Sequence, residues 1–455
     1  MGGRQSAYSN IHTGASNSDW LPSSSCQRHL RVLRLDDACE VEIAANSYFN
    51  INYRPTLQTL FIDRDTILYR SFGCNWQGNQ LPKGIFDILQ KSCSTLKSLK
   101  FSNLPNGCRV CVYDLFSKLR LHEYKRLEEL SLSRIYKDEC YIRFGEDLLF
   151  PVSLTQLTLD GLGLVAVPLV ICTLKSLTHL SLANNIITQI SILVDREDAD
   201  LSRLIDFNIA ENLLSVIPKN IERLLNLKVL NISHNCLKKS IPESIKNLSN
   251  LTALSLQWNR LESVPIDSLS ELKYLHLLNL SYNKLKIVDN RICFLPSLKV
   301  LNLSGNDGLS FHDTSTPSHD SKLQELNISS TAMNLLPSFF SSLSRLRVLD
   351  CQNNEVTNID TILTLPMIER ANFKQNGLRD CSWLLRQLQS RDVKLTWLDL
   401  TDNELSHEQG EGEINIRNTV VLLKSCEDYL PQLITTRRFS PKTPMKQEDF
   451  CWLCR

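Results

Sequence analysis

The sequence predicts an α/β solenoid, a stack of short parallel strands each backed by a turn or a short helix. Two observations carry this prediction. A nine-residue pattern, LxxLxLxxN, recurs along the chain from Leu177, as in LTHLSLANN, LKVLNISHN, LTALSLQWN and LHLLNLSYN. Its copies start at Leu177, Leu204, Leu227, Leu251, Leu275, Leu298, Leu323, Leu346, Ile368 and Leu395, with spacings of 22 to 27 residues. Self-similarity at such a fixed period marks a repeat architecture, in which each unit buries its apolar side only against its neighbours.

The alternation within one copy gives the strand. In Leu227–Asn235, the residues Leu227, Leu230 and Ile232 should point into the core, while Val229, Asn231 and Ser233 line the outer sheet face. Asn235 should turn the chain, its amide satisfying backbone groups that no strand pairs. Leu237 and Ile241-Pro242 would then pack behind the sheet and direct the chain back. These segments resemble leucine-rich repeats of the short intracellular type, and the trailing VIPKNI, SIPESI and SVPIDSL fit the same family. The resemblance implies a horseshoe with a curved parallel sheet on its concave face. Its repeat length is similar to that of Ras-pathway and cell-polarity scaffolds, which implies a protein partner on that face and no enzyme.

Looser copies begin at Leu30, Leu57, Leu96, Leu127 and Leu154; they keep the LxxLxΦ half and lack the Asn. Read as degenerate repeats, they bring the array to about 15 units. A separate N-terminal domain is the competing reading. The expected organisation is thus a disordered, Ser/Asn/Gly-rich segment over 1–28 and degenerate repeats over 29–176. Regular repeats follow over 177–405, and the rest, 406–455, forms an acidic loop, a helix and a basic tail.

Charge is balanced across the 455 residues, with 50 Lys plus Arg against 49 Asp plus Glu. No general electrostatic grip on nucleic acid or an anionic membrane follows from that. The N-terminus lacks an apolar core and so is no secretory signal. Fifteen cysteines are scattered rather than clustered into end caps, which favours a reducing, cytoplasmic place with the nucleus as an alternative. Phosphate-binding glycine loops, nucleophile elbows and HExxH are missing from the sequence, so neither catalysis nor a cofactor is expected.

Candidate function therefore lies on the surface. The central outer position reads Ser181, Asn208, Asn231, Ser255, Asn279, Asn302, Asn327, Asp350, Asn372 and Asp399, a row best explained as a hydrogen-bonded ladder. The last position before the turn holds Glu211, His234, Trp258 and Tyr282 on neighbouring rungs. Stacked at about 5 Å they would form an aromatic-polar patch, and Trp and Tyr anchor interfaces well. Mutual stacking with no partner is the alternative. A metal or acid-base pair of His234 with Glu211 has little behind it.

The C-terminal stretch NTVVLLKSCEDYLPQL suggests an amphipathic helix near Ile416–Leu430, with Leu422, Cys426 and Leu430 on one stripe. This spacing is similar to the Elongin C-binding box of leucine-rich-repeat substrate receptors of cullin ubiquitin ligases. The resemblance implies that Leu422 fills an adaptor pocket, with Cys426 and Leu430 packing beside it and with Elongin C and a cullin as partners. Val421 departs from the small residue of that pattern, and a helix capping the last repeat is the plainer reading. The pairs Cys108/Cys111 and Cys451/Cys454 are each half a zinc site, so no metal is assigned. MGGRQS fits an N-myristoylation signal at Gly2, which would make the protein a membrane-proximal scaffold through a single weak anchor.

Overall fold

The computed structural model describes residues 32–35, 59–63, 90, 93–102, 120–133, 149–197, 199–313, 320–390, 394–405, 413–416 and 419–423. The fold is an α/β solenoid, and the chain divides into two compact units, Met1–Leu213 and Leu214–Arg455.

In the first unit seven strands follow one another: β1 (Val32–Leu35), β2 (Thr59–Asp63), β3 (Ser98–Ser102), β4 (Glu129–Ser133), β5 (Gln156–Asp160), β6 (His179–Ser181) and β7 (Asp206–Asn208). Each pairs in parallel with the next. The copies that lack the turn asparagine therefore build the same strand ladder as the regular ones. The reason is that LxxLxΦ alone sets the buried face: Leu127, Leu130 and Leu132 are all fully buried, as are Leu154 and Leu159.

The second unit continues through β8 (Val229–Asn231), β9 (Lys238–Lys239), β10 (Ala253–Ser255), β11 (Arg260–Leu261), β12 (Leu277–Asn279), β13 (Ile287–Asp289), β14 (Val300–Asn302) and β15 (Ser310–His312). Then come β16 (Glu325–Asn327), β17 (Val348–Asp350), β18 (Arg370–Asn372), β19 (Trp397–Asp399), β20 (Glu413–Ile416) and β21 (Thr419–Leu422). The main sheet runs β8-β10-β12-β14-β16-β17-β18-β19-β21 in parallel, in strict register, with β20 closing it antiparallel to β21. Two small parallel ladders, β9 with β11 and β13 with β15, lie beyond the turns.

Behind the sheet most connections are single 3-10 turns, such as Lys219–Arg223, Glu243–Asn247 and Ser338–Ser342. Each is preceded by an extended proline, Pro218, Pro242 or Pro337, whose fixed φ and missing N–H suit the start of a helical turn. One register of leucines fills the space between: Leu230, Leu254, Leu278, Leu301 and Leu326 are all fully buried. Among the described residues no helix is long and apolar enough to cross a membrane.

The C-terminal region corrects the sequence reading. Thr419–Leu422, expected in a helix, is a strand with Val421 fully buried against the edge of β19. The β-branched run Thr-Val-Val favours the extended state, and an otherwise open sheet edge supplies the missing hydrogen-bond partners. Leu422 therefore does not sit on a helical stripe; Cys426 and Leu430 lie outside the described residues, as do Gly2 and the pairs Cys108/Cys111 and Cys451/Cys454.

Candidate functional site

Two asparagine rows organise the surface of the repeats. The inner one closes the pattern. Asn259 donates from Nδ2 to the carbonyls of Ile232 (2.9 Å) and Leu256 (3.1 Å), and its Oδ1 accepts from Leu237 N–H (3.0 Å). Asn283, Asn306, Asn354 and Asn376 repeat this bonding from rung to rung. The outer row behaves differently from the ladder expected. Asn231, Asn279 and Asn302 each accept the N–H and the hydroxyl of the serine two residues on. Among the described residues, bonds between successive members of the row are few, such as Asn208 Nδ2 to Ser181 Oγ at 3.3 Å. The outer amides thus end their own strands rather than present themselves to a ligand.

Between the two rows lies a residue that must reverse the chain. Glu211, His234, Trp258, Tyr282, Ser330, Asn353, Gln375 and Asp402 occupy it with φ between +51° and +58°, and Gly305 with φ +67°. This corrects the placement of the aromatic residues. They stand in the turn beyond the strand ends, where their N–H groups still bond to the next rung, as Trp258 does to the Ser281 carbonyl at 3.0 Å. A left-handed backbone costs a side-chain-bearing residue about 1 kcal/mol, so Trp and Tyr are unfavourable choices on local grounds.

In the second unit three of these turn residues meet. The His234 and Trp258 rings stack at 5.5 Å and 16°, and Trp258 and Tyr282 at 4.0 Å and 6°. The Tyr282 ring then lies against Gly305, where a Cβ would stand 2.6 Å from Tyr282 Cδ1. Trp258 remains 49% exposed, and Gln257 beside it is buried with an Oε1 that has no donor. Glu211 holds the equivalent turn of the first unit. Sequence reasoning found the three rings but missed Gly305, whose role shows only once the tyrosine is seen to lie on its backbone.

The adjoining sheet face is apolar, with Val229, Ala253, Leu277 and Val300 in register and half-buried. Farther along, over β16–β19, charged residues alternate with Val348 and Trp397 in that register. Glu325 and Arg370 replace the apolar residues, Arg347 pairs with Glu369 at 2.6 Å, and Lys374 pairs with Asp402 at 3.2 Å. Asp350, in register between Asn327 and Asn372, is almost fully buried. Burial pushes its carboxyl up to about 7, against the Gln352 N–H that it accepts, and nearby Asp399 adds to the rise. Among the described residues no three metal-ligating side chains converge.

The comparisons with known proteins agree with this architecture. A family model described as leucine-rich repeat matches residues 202–261 and 249–307, the stretch that carries the aromatic turns. No curated protein matches the sequence. Among solved structures, a leucine-rich-repeat protein of Leptospira interrogans is 24% identical with a TM-score of 0.55, over 78% of this chain and 86% of that one. An internalin of Listeria monocytogenes is 19% identical with a TM-score of 0.56, over 74% of this chain and 92% of its own. The mouse RP105/MD-1 complex gives 19% identity and a TM-score of 0.57, over 83% of this chain and 60% of that chain. At these identities the likeness is one of fold.

Proposed function

We propose that this chain, a leucine-rich-repeat protein, is a non-enzymatic scaffold that holds a partner protein on the outer face of its second unit. The observation that carries the reading is the ring stack His234–Trp258–Tyr282. Each ring accepts the strain of a left-handed turn, and Trp258 stays half exposed beside an apolar strip of sheet. Neither feature helps the fold. Large aromatic groups with little side-chain entropy to lose, set beside apolar surface, suit an interface centre. An array of this fold occurs together with MD-1 in the mouse RP105 complex, in keeping with a protein partner.

A cytoplasmic place belongs to the same reading, since Cys293 and Cys351 serve as fully buried core residues. The ubiquitin-ligase alternative loses its main support, because Leu422 stands in a strand.

The test is affinity capture from cells with the full chain and with Trp258→Ala/Tyr282→Ala, both checked by circular dichroism and thermal melting. A defined set of proteins retained by the parent and lost by the folded variant supports the proposal. An identical set from both would sink it.

A further inference from the structure

Beside the ring stack runs a strip of positive charge. Lys238 in β9 stands in register with Arg260 in β11, and Lys284 follows on the next repeat, its N–H donating to the Leu261 carbonyl at 2.8 Å. All three side chains are exposed and, among the described residues, none makes an ion pair. Like charges on adjacent strands in register destabilise a sheet, so this arrangement is unexplained by the fold. Lys286, two residues on from Lys284 in the same repeat, shows the contrast, because it is paired with Asp307 at 3.5 Å.

The ring stack narrows the chemistry further. Trp258 has His234 on one face and Tyr282 on the other, and Tyr282 has Gly305 behind it. Stacking uses up ring faces, which are the negative part of an aromatic group, and leaves ring edges, which are positive. The edges carry the indole N–H, the phenol O–H and the imidazole nitrogens, none of which bonds to another described residue. Such a rail suits acceptors and anions. It does not suit a cation, which needs an open face, nor single-stranded nucleic acid, whose bases stack on open rings.

We propose that this rim binds an extended acidic segment of the partner protein, its carboxylates meeting Lys238, Arg260 and Lys284 and its carbonyls meeting the edges of Trp258 and Tyr282. The proposal rests on the scaffold reading above and adds the chemical class of the partner.

The experiment uses the full chain and a fluorescent peptide alternating Glu with Leu, read by anisotropy. Companion peptides carry Gln or Lys in place of Glu, and oligouridine serves as the nucleic-acid probe. The acidic peptide should bind best, and its affinity should fall as salt rises. Arg260→Glu/Lys284→Glu, at exposed positions that leave the melting transition in place, should weaken it about tenfold and favour the Lys peptide instead. Gly305→Ala, which pushes Tyr282 aside, should weaken it several-fold.

Equal binding of the Glu and Gln peptides would overturn the proposal. So would an unchanged affinity in the charge-reversed variant, or oligouridine binding more tightly than the peptide. If cellular partners still depend on Trp258 while the charge reversal changes nothing, the scaffold reading stands and the acidic segment falls.

Discussion

The repeats of β8–β14 and those of β16–β19 share one backbone and one core, yet offer different surfaces. In both stretches a buried leucine or alanine marks the strand centre, as Leu254 and Leu349 do, and an inner asparagine closes the turn, as Asn259 and Asn376 do. In the first stretch the turn residues are His234, Trp258, Tyr282 and Gly305, the sheet face is apolar, and Lys238, Arg260 and Lys284 make no ion pair among the described residues. In the second the turn residues are Ser330, Asn353, Gln375 and Asp402, charged residues alternate with Val348 and Trp397 on the face, and several charges are paired within the fold. The lesson is a division of labour within each repeat. Buried positions and the inner asparagine fix the architecture, while the turn residue and the outer positions vary at small cost and so can carry specificity.

The strongest test of that division removes the shared element from each stretch. Asn259→Ala strands the Leu237 N–H inside the core and takes one of two amide donors from the Ile232 and Leu256 carbonyls, which keep Asn235 and Asn283. Asn376→Ala likewise strands the Val356 N–H, while the Cys351 and Phe373 carbonyls keep Asn354 and Asn403. A buried polar group left unpaired costs roughly 1–3 kcal/mol, so with the weakened carbonyls either substitution should cost about 2–3 kcal/mol. Urea unfolding of both variants measures it. A difference between them of more than about 1 kcal/mol, outside the scatter of such values, would show that the two stretches are not held alike.

The next effect belongs to the charged stretch alone. Asp350 interrupts a row of asparagines, and burial raises its carboxyl to about 7 from an ordinary carboxylate value. A group whose pKa is higher in the folded state adds stability that is complete below its unfolded pKa, near 4, and is lost as pH rises through 7. The protein should therefore lose stability between about pH 4 and 7 through this residue. Asp350→Asn, which restores the amide found at Asn327 and Asn372, should remove that slope and stabilise the fold at pH 8 by roughly 1–3 kcal/mol. Thermal melts across this pH range decide it. An unchanged slope in the variant would place the pH dependence elsewhere.

Much of this was legible in the sequence. The buried face of the main-sheet strands whose side chains are described follows from LxxLxΦ, even at Leu99 and Leu130 where the turn asparagine is absent, because side-chain alternation along a strand leaves little choice. The neighbourhood of His234, Trp258 and Tyr282 followed from the repeat period alone. Their backbone state was less accessible, since nothing in Trp or Tyr announces a positive φ and the turn imposes it through its neighbours. Gly305 was missed because its function is defined by Tyr282 on the adjacent repeat. Thr419–Leu422 misled because a helical spacing of Leu422 with later residues outweighed its β-branched composition, and only the waiting edge of β19 decides between the two.

The smallest predicted effects make the sharpest comparison, since they ask what the aromatic turn gives back for its strain. Glycine adopts a left-handed turn freely, whereas other residues lose about 1 kcal/mol there. Gln375 has the same turn conformation as Trp258, is exposed, and stacks on nothing. Gln375→Gly should therefore stabilise the protein by about 1 kcal/mol. Trp258→Gly relieves the same strain but loses the contacts to His234 and Tyr282, worth ~0.5–1.5 kcal/mol each. Its net effect should be a loss of no more than about 2 kcal/mol, and Trp258→Ala, with the loss and no relief, should fall about 1 kcal/mol lower still. Denaturant midpoints for the three variants give the order directly. If Trp258→Gly stabilised as much as Gln375→Gly, the stack would contribute nothing to the fold, and its three rings would be left with binding as their entire physical justification.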